Sequence, residues 1–225
     1  MPSECDGAAS EGIRNLRKRL AGLDTEEGRM KAFQFKPRTD DVFIVTCAKA
    51  GTTWMQQIVH GLRTGGSMDF DEISLVIPHI ELAHDAGYTD LDAEQVALPR
   101  VYKTHFWYDH TPKGARYIYV VRDPKDMSLS FFHFMQSWFF EPGEVSLLEF
   151  LEEFVLARGK PVSVMQNASF WDNIASWWPH RLDPNVLWLH YEDLKQDLPA
   201  CVKLVAEFIG KGAEDEDLQK LVVEQ

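Results

Sequence analysis

Lys49, Lys103, His105 and Arg122 stand at or just past the polar ends of short apolar runs. The clearest run is Asp41-Val42-Phe43-Ile44-Val45-Thr46-Cys47-Ala48-Lys49-Ala50-Gly51-Thr52-Thr53-Trp54. Val42 to Val45 predict a short buried strand, and Cys47 to Gly51 a loop of small residues holding one lysine. From Thr52 onward, Trp54, Met55, Ile58, Val59 and Leu62 recur at helical spacing. Strand, tight loop and helix in that order make an anion cradle. Backbone N–H groups of the loop and the first helical turn point at one spot, and the helix dipole adds partial positive charge there. Lys49 adds a full charge, and Thr52 and Thr53 add hydroxyl donors, so phosphate is the natural guest. The plain alternative is a strand–turn–helix connection with a solvated lysine. The order Lys-Ala-Gly-Thr-Thr puts the lysine earlier than the nucleotide-triphosphatase loop does, which argues against a magnesium–ATP site.

Three further apolar runs end in polar groups. Arg100-Val101-Tyr102-Lys103-Thr104-His105 delivers Lys103 and His105. Tyr117 to Val121 is uninterrupted, as a strand covered on both faces should be, and delivers Arg122. Asp123 can cap a helix with Pro124 in its first turn, which would carry Ser130 two turns on. Asn185 to His190 leads into Tyr191. In parallel sheets ligands sit beyond the carboxyl ends of the strands. Two lysines, an arginine, hydroxyls and a histidine at that edge suit a ligand with two separate phosphates and a proton-transfer step. Each residue also has a bland reading: His105 as a hydrogen-bonded strand-end histidine, Arg122 as half of a helix-terminus ion pair, Ser130 bonded back to its own helix.

The elements that must position these residues alternate between strand and helix. They predict an α/β fold in three layers, P-loop-like, with a central, largely parallel sheet flanked by helices. One domain is expected over residues 1–225, with residues 1–32 as a tail (Met1 to Ala9) and a weak helix (Glu11 to Leu20). Gly22 to Asp40 read as a loop whose Phe33 and Phe35 serve as lid or pocket aromatics, and Tyr88 to Pro99 as another loop. Asp69 to Ala86 predict two short helical pieces around Pro78. Leu147 to Leu156, Phe170 to Trp178, Leu198 to Ile209 and Asp217 to Val223 read as helices. Trp171, Trp177 and Trp178 are expected in the core. Phe131, Phe132, Phe139 and Phe140 divide between core and an apolar ligand pocket.

A net charge of −12 argues against a surface that coats nucleic acid, so the phosphate site is a basic island in an acidic protein. Cys5, Cys47 and Cys201 form neither a metal pattern nor a disulfide framework, which points to a reducing, cytoplasmic compartment. No secretory signal and no apolar stretch long enough to span a membrane is apparent.

Four separated motifs together resemble the cytosolic sulfotransferases, from about Phe33 to Ile209. Thr46 to Trp54 is similar to the family's 5′-phosphosulfate loop. Lys103-Thr104-His105 is similar to the segment with its catalytic histidine. Tyr119 to Asp126, with Ser130, is similar to its 3′-phosphate segment, and Leu187 to Leu194 to a strand whose tyrosine, here Tyr191, lies near the nucleotide. The resemblance implies a sulfuryl donor, 3′-phosphoadenosine 5′-phosphosulfate (PAPS), a small hydroxylated or amine acceptor, and no metal. It implies that Lys49, the amides of Ala50 and Gly51, Thr52 and Thr53 hold the 5′ end, and that Trp54 stacks on adenine. Arg122 and Ser130 would hold the 3′-phosphate. His105 would act as base, titrating near neutral pH, and Lys103 would support charge. Sulfuryl transfer is an in-line displacement like phosphoryl transfer, so positioning and charge stabilisation carry it.

The chain departs from the family at Ala48 and Ala50, where proline and serine are usual. It stops at Gln225 with no counterpart of the family's Arg-Lys-Gly loop or its C-terminal dimerisation motif. A fragment or short member is thus expected, with weak PAPS binding, an open oligomeric state, and a nucleotide-binding or interaction module as the alternative to an active enzyme.

Overall fold

Successive side chains of a strand point to opposite faces, and that period of two decides what each face of the sheet packs against. In a computed structural model describing residues 10–87 and 90–225, four parallel strands form the sheet: β1 (Val42–Thr46), β2 (Val101–Thr104), β3 (Arg116–Val121) and β4 (Val186–His190), in the order β2-β1-β3-β4. The expected tail Met1 to Ala9, with Cys5, and Tyr88 and Thr89 of the expected loop lie outside the described residues.

The helices are α1 (Glu11–Leu20), α2 (Glu26–Gln34), α3 (Thr52–Thr64), α4 (Ile73–Val76), α5 (Ile80–Ala83), α6 (Pro124–Phe139), α7 (Leu147–Leu151), α8 (Phe170–Trp177), α9 (Tyr191–Gln196), α10 (Leu198–Ile209) and α11 (Glu216–Glu224). On one face of the sheet, Val42, Ile44, Ile118 and Val120 pack against Met55, Ile58 and Val59 of α3 and Val202 and Val205 of α10. On the other, Phe43, Tyr102, Tyr117 and Tyr119 pack against Phe35, Phe106 and Trp177. A third cluster joins Met127, Phe131 and Phe132 of α6 to Leu16 of α1 and Phe150 of α7. The result is the predicted three-layer α/β fold.

Local detail differs from the expectation in three places. The stretch Gly22 to Asp40 contains α2, whose start is fixed by the Thr25 hydroxyl accepting from the Gly28 N–H at 3.0 Å. Its residues lack a strong apolar stripe. The helix is held instead by Arg29, whose guanidinium reaches Asp24, the Val164 carbonyl and Asn167. Phe35 is therefore core, while Phe33 is exposed and packs edge-on to His110. Of the three tryptophans expected in the core, Trp177 is fully buried but Trp171 and Trp178 are about half exposed. The helix from Leu147 changes register into a π turn over Glu152–Leu156.

The chain runs from β1 to β2 on one side, then returns to place β3 on β1's other side. This reversal opens a crevice beyond the carboxyl ends of β1 and β3. At the opposite end of the strands, Asp41 and Arg100 clamp β1 to β2. Arg100 Nε and Nη2 donate to the two carboxylate oxygens of Asp41 at 2.9 and 2.6 Å, and both side chains are almost wholly buried. Removing one partner leaves the other charge buried and unpaired. Arg100→Met should therefore cost about 3–5 kcal/mol of stability, measured by urea denaturation. A loss below about 1 kcal/mol would show that the pair is not structural.

Candidate active site

β1 ends at Thr46, and the next five residues turn sharply into α3. Lys49 adopts φ +67°, the left-handed region that an L side chain enters at a cost of roughly 1–2 kcal/mol. Gly51 follows at φ +109°, where a Cβ would stand 2.9 Å from Cδ2 of Tyr191. Gly51 caps α3 with no side-chain acceptor, so the first-turn amides have no side-chain cap. With the helix dipole, these amides make the loop an anion cradle. The Thr52 hydroxyl is buried and 2.6 Å from the Thr46 hydroxyl, whereas Thr53 is exposed.

Arg122, just past β3, donates to the Lys49 carbonyl at 3.1 Å and lies over the Tyr191 ring at 4.3 Å. Its link to Asp126 is 4.0 Å long, so the helix-terminus ion pair is marginal and the guanidinium instead braces the cradle. Lys49 Nζ lies 4.3 Å from the centre of the Phe134 ring. Burial, and then the charge of Arg122, pull the Lys49 pKa below its ordinary value. Burial also lowers that of Lys103, against the pull of Glu72 and Glu81. Ser130 has no hydrogen-bond partner among the described residues, so it does not bond back to its helix.

A crevice of about 330 Å³ lies over the cradle. It gathers Lys49, Gly51, Thr52, Thr53 and Trp54 from β1–α3, Lys103 and His105 from β2, Arg122 and Ser130 from β3–α6, and Tyr191 from β4–α9. Trp54 and Tyr191 meet edge to face at 5.5 Å. Of the residues expected at the site, Ala50 alone does not line the crevice. Its side chain is fully buried, and its N–H donates to the Cys47 carbonyl at 3.1 Å. An inner cavity of about 50 Å³ adjoins the crevice, walled by Met127, Phe131, Phe154 and Phe170 among others. Ala48, His105 and Phe131 line both spaces. Cys47 also faces the inner cavity, but burial pushes its thiol up to about 12, which makes it a packing group.

His105 is thus at the junction. Its Nδ1 is 2.8 Å from the Thr46 carbonyl oxygen. A carbonyl can only accept, so Nδ1 carries the proton and Nε2 is the basic nitrogen. Two groups absent from the sequence motifs, His79 and Glu81, support this ring. The peptide at Lys103 pairs with Pro78, which brings His79 edge-on to His105 at 4.9 Å. Glu81 accepts from the His105 N–H at 2.6 Å and from the Thr104 hydroxyl at 3.0 Å. Burial alone would push the Glu81 carboxyl up, but the charge of His79, 3.3 Å away, prevails and holds it at about 2. In the sequence, Pro78-His79-Ile80-Glu81 reads only as part of a short helix, and the packing against β2 is a long-range event.

Burial, then the charge of His79, push His105 down from its ordinary 6.5 to about 3. The ring is held neutral in the free protein, in place of the expected titration near neutrality. The unfolded chain takes up this proton near pH 6.5 and the folded chain near 3, so stability is lost as pH falls through that window. Between pH 6 and 4 the slope of unfolding free energy against pH should fall by roughly one proton in His105→Asn relative to wild type. Identical slopes would show that the fold does not hold His105 neutral.

Comparison with known proteins identifies a family and a fold. The family model described as a sulfotransferase domain matches residues 39–224. The chain is 32% identical over 198 residues to the amine sulfotransferase of Oryctolagus cuniculus, covering 85% of this chain and 63% of that protein. It is 31% identical over 201 residues to sulfotransferase 1B1 of Canis lupus familiaris, covering 84% and 65%. It therefore spans just under two thirds of the length of these relatives. Mouse sulfotransferase SULT7A1, crystallised with PAP, superposes with a TM-score of 0.70 at 28% identity over 88% of this chain and 68% of that one. A retinol dehydratase crystallised with androsterone and inactive cofactor PAP shares the fold, with a TM-score of 0.72 at 19% identity over 95% and 76%.

Proposed function

Because the chain belongs to the sulfotransferase domain family, we propose that it transfers a sulfuryl group from PAPS to a hydroxyl or amine of a small acceptor. The observation that carries this reading is the junction. His105 lines both a crevice bearing three cations and a small, mostly apolar inner cavity. Donor and acceptor would occupy separate spaces and meet at one imidazole.

The residues of the crevice fit a doubly phosphorylated donor. Lys49 and the free amides of the α3 start would hold the 5′ end, and Arg122 with the unpartnered Ser130 hydroxyl the 3′-phosphate. The edge-to-face Trp54 and Tyr191 offer rings for the base. In the transfer, a bond forms between the acceptor oxygen and sulfur as the bond from sulfur to the 5′-phosphate oxygen breaks. The acceptor proton passes to Nε2 of His105, and the electron pair of the broken bond leaves with PAP. Lys49 would neutralise the charge that grows on the departing phosphate. A base of pKa about 3 is weak in the free protein, but bound phosphate charge beside it raises its proton affinity. The two charged lysines serve the same end by lowering the acceptor's pKa. The cytoplasm is the compartment this reading implies, with Cys47 and Cys201 as free thiols.

Labelled PAPS with a panel of phenols and amines tests the reading directly: a labelled sulfate ester or sulfamate is expected, and its absence across the panel would count against it. Lys49→Ala should slow the transfer step by about a hundredfold, or about 3 kcal/mol; wild-type turnover in that variant would remove Lys49 from the chemistry. Arg122→Ala should weaken PAP by roughly ten- to a hundredfold and AMP much less, read by calorimetry. Equal losses for the two nucleotides would show that Arg122 only braces the Lys49 carbonyl.

A further inference from the structure

The inner cavity contains a charge that the transfer step does not use. Its walls are mostly hydrocarbon, yet Arg158 is among them. The guanidinium lies 5.5 Å from the centre of the Phe154 ring, and no hydrogen bond or ion pair to it exists among the described residues. The nearest acidic neighbour, Glu153, is committed to Arg17 at 2.5 Å. The nearby Arg29 is neutralised by Asp24 at 2.7 Å. Burial lowers the pKa of Arg158, against the pull of Glu153. No aspartate or glutamate lines the cavity. Beside Arg158, Asn167 uses its Oδ1 to accept from Arg29 at 2.5 Å, which leaves its amide N–H groups to donate inward.

A half-buried guanidinium with no bound partner, on the wall of a mostly apolar cavity, is complementary to an oxyanion. The π turn over Glu152–Leu156 sets Phe154 and Val155 into the wall and leaves Arg158 two residues beyond its end. At net −12 the protein as a whole repels anions, so an anionic acceptor needs a local anchor. We infer that Arg158 is an anion anchor of the inner cavity and that the acceptor is a compact hydroxylated carboxylate, its hydroxyl at His105 and its carboxylate at Arg158. This rests on the transferase reading for the hydroxyl but not for the carboxylate. An ionised amine in the same space would face Arg158 with like charge. A cavity of about 50 Å³ has room for only a few waters, which favours a single-ring molecule over a steroid and requires its walls to part on binding.

Three phenols of similar size separate the terms: 3-(4-hydroxyphenyl)propanoate, 4-propylphenol and tyramine. With PAPS, wild type should rank them acid, neutral, ammonium. The acid should lead 4-propylphenol at least tenfold in kcat/KM, chiefly through KM. Arg158→Met keeps the alkyl stem, and should cut the acid-to-neutral ratio by roughly ten- to a hundredfold, with Arg158→Lys between. An unchanged ratio in Arg158→Met, or a wild-type preference for 4-propylphenol or tyramine, would overturn the assignment. If no phenol were sulfated and PAP did not bind, the transferase reading would fail. Equilibrium dialysis of 3-(4-hydroxyphenyl)propanoate would then decide the anchor alone: weaker binding in Arg158→Met upholds it, equal binding ends it.

Discussion

The hydrogen bond from His105 Nδ1 to the Thr46 carbonyl, 2.8 Å long, is the constraint on which the site depends. It ties the residue just past β2 to the last residue of β1, and it decides which nitrogen is basic. Thr46 in turn bonds the Thr52 hydroxyl at the start of α3. The imidazole and the anion cradle are thereby fixed to one strand end. Glu81 adds a second hold through the His105 N–H. The ring orientation is set before any ligand arrives, and this is how preorganised sites reduce the cost of reaction.

The electrostatics follow from burial as much as from charge. Lys49 and Lys103 line a crevice with Arg122, all in a chain of net −12. Burial destabilises the charged forms of both lysines and depresses His105 further. The free site is thus short of negative charge. A ligand carrying phosphates would restore the balance, and each depressed pKa would rise as it bound. The left-handed backbone at Lys49 is a second cost localised in the same loop. Asp41 and Arg100, at the far end of β1 and β2, are a buried, bidentate pair that holds the two strands in register against such costs.

Much of the site was legible in the sequence because it is local. A strand followed by Lys-Ala-Gly-Thr-Thr, and another followed by Arg122-Asp123-Pro124, can turn in few ways. Parallel strands then bring their ends together whatever lies between them. Only Ala50 fell outside the crevice, because its side chain turns into the core. What was not legible is tertiary. Helix α2 is held by Arg29 reaching Val164 and Asn167, well over a hundred residues away. Glu81 and His79 reach His105 only because Pro78 pairs with β2. The depressed pKa of His105 is a product of that packing, so sequence suggested titration near neutrality. Arg158 lies in a loop-like stretch with no motif, and only the fold sets it on the wall of the inner cavity.

The central claim is that His105 serves transfer and not nucleotide binding. The most direct measurement pairs single-turnover sulfuryl transfer with PAP calorimetry on His105→Ala. Transfer should fall by roughly 10²–10⁴-fold, the range for losing a positioned base, while PAP affinity should change less than about threefold, on the order of 0.6 kcal/mol. Retained transfer, or a loss of PAP binding as large as the loss of transfer, would contradict it.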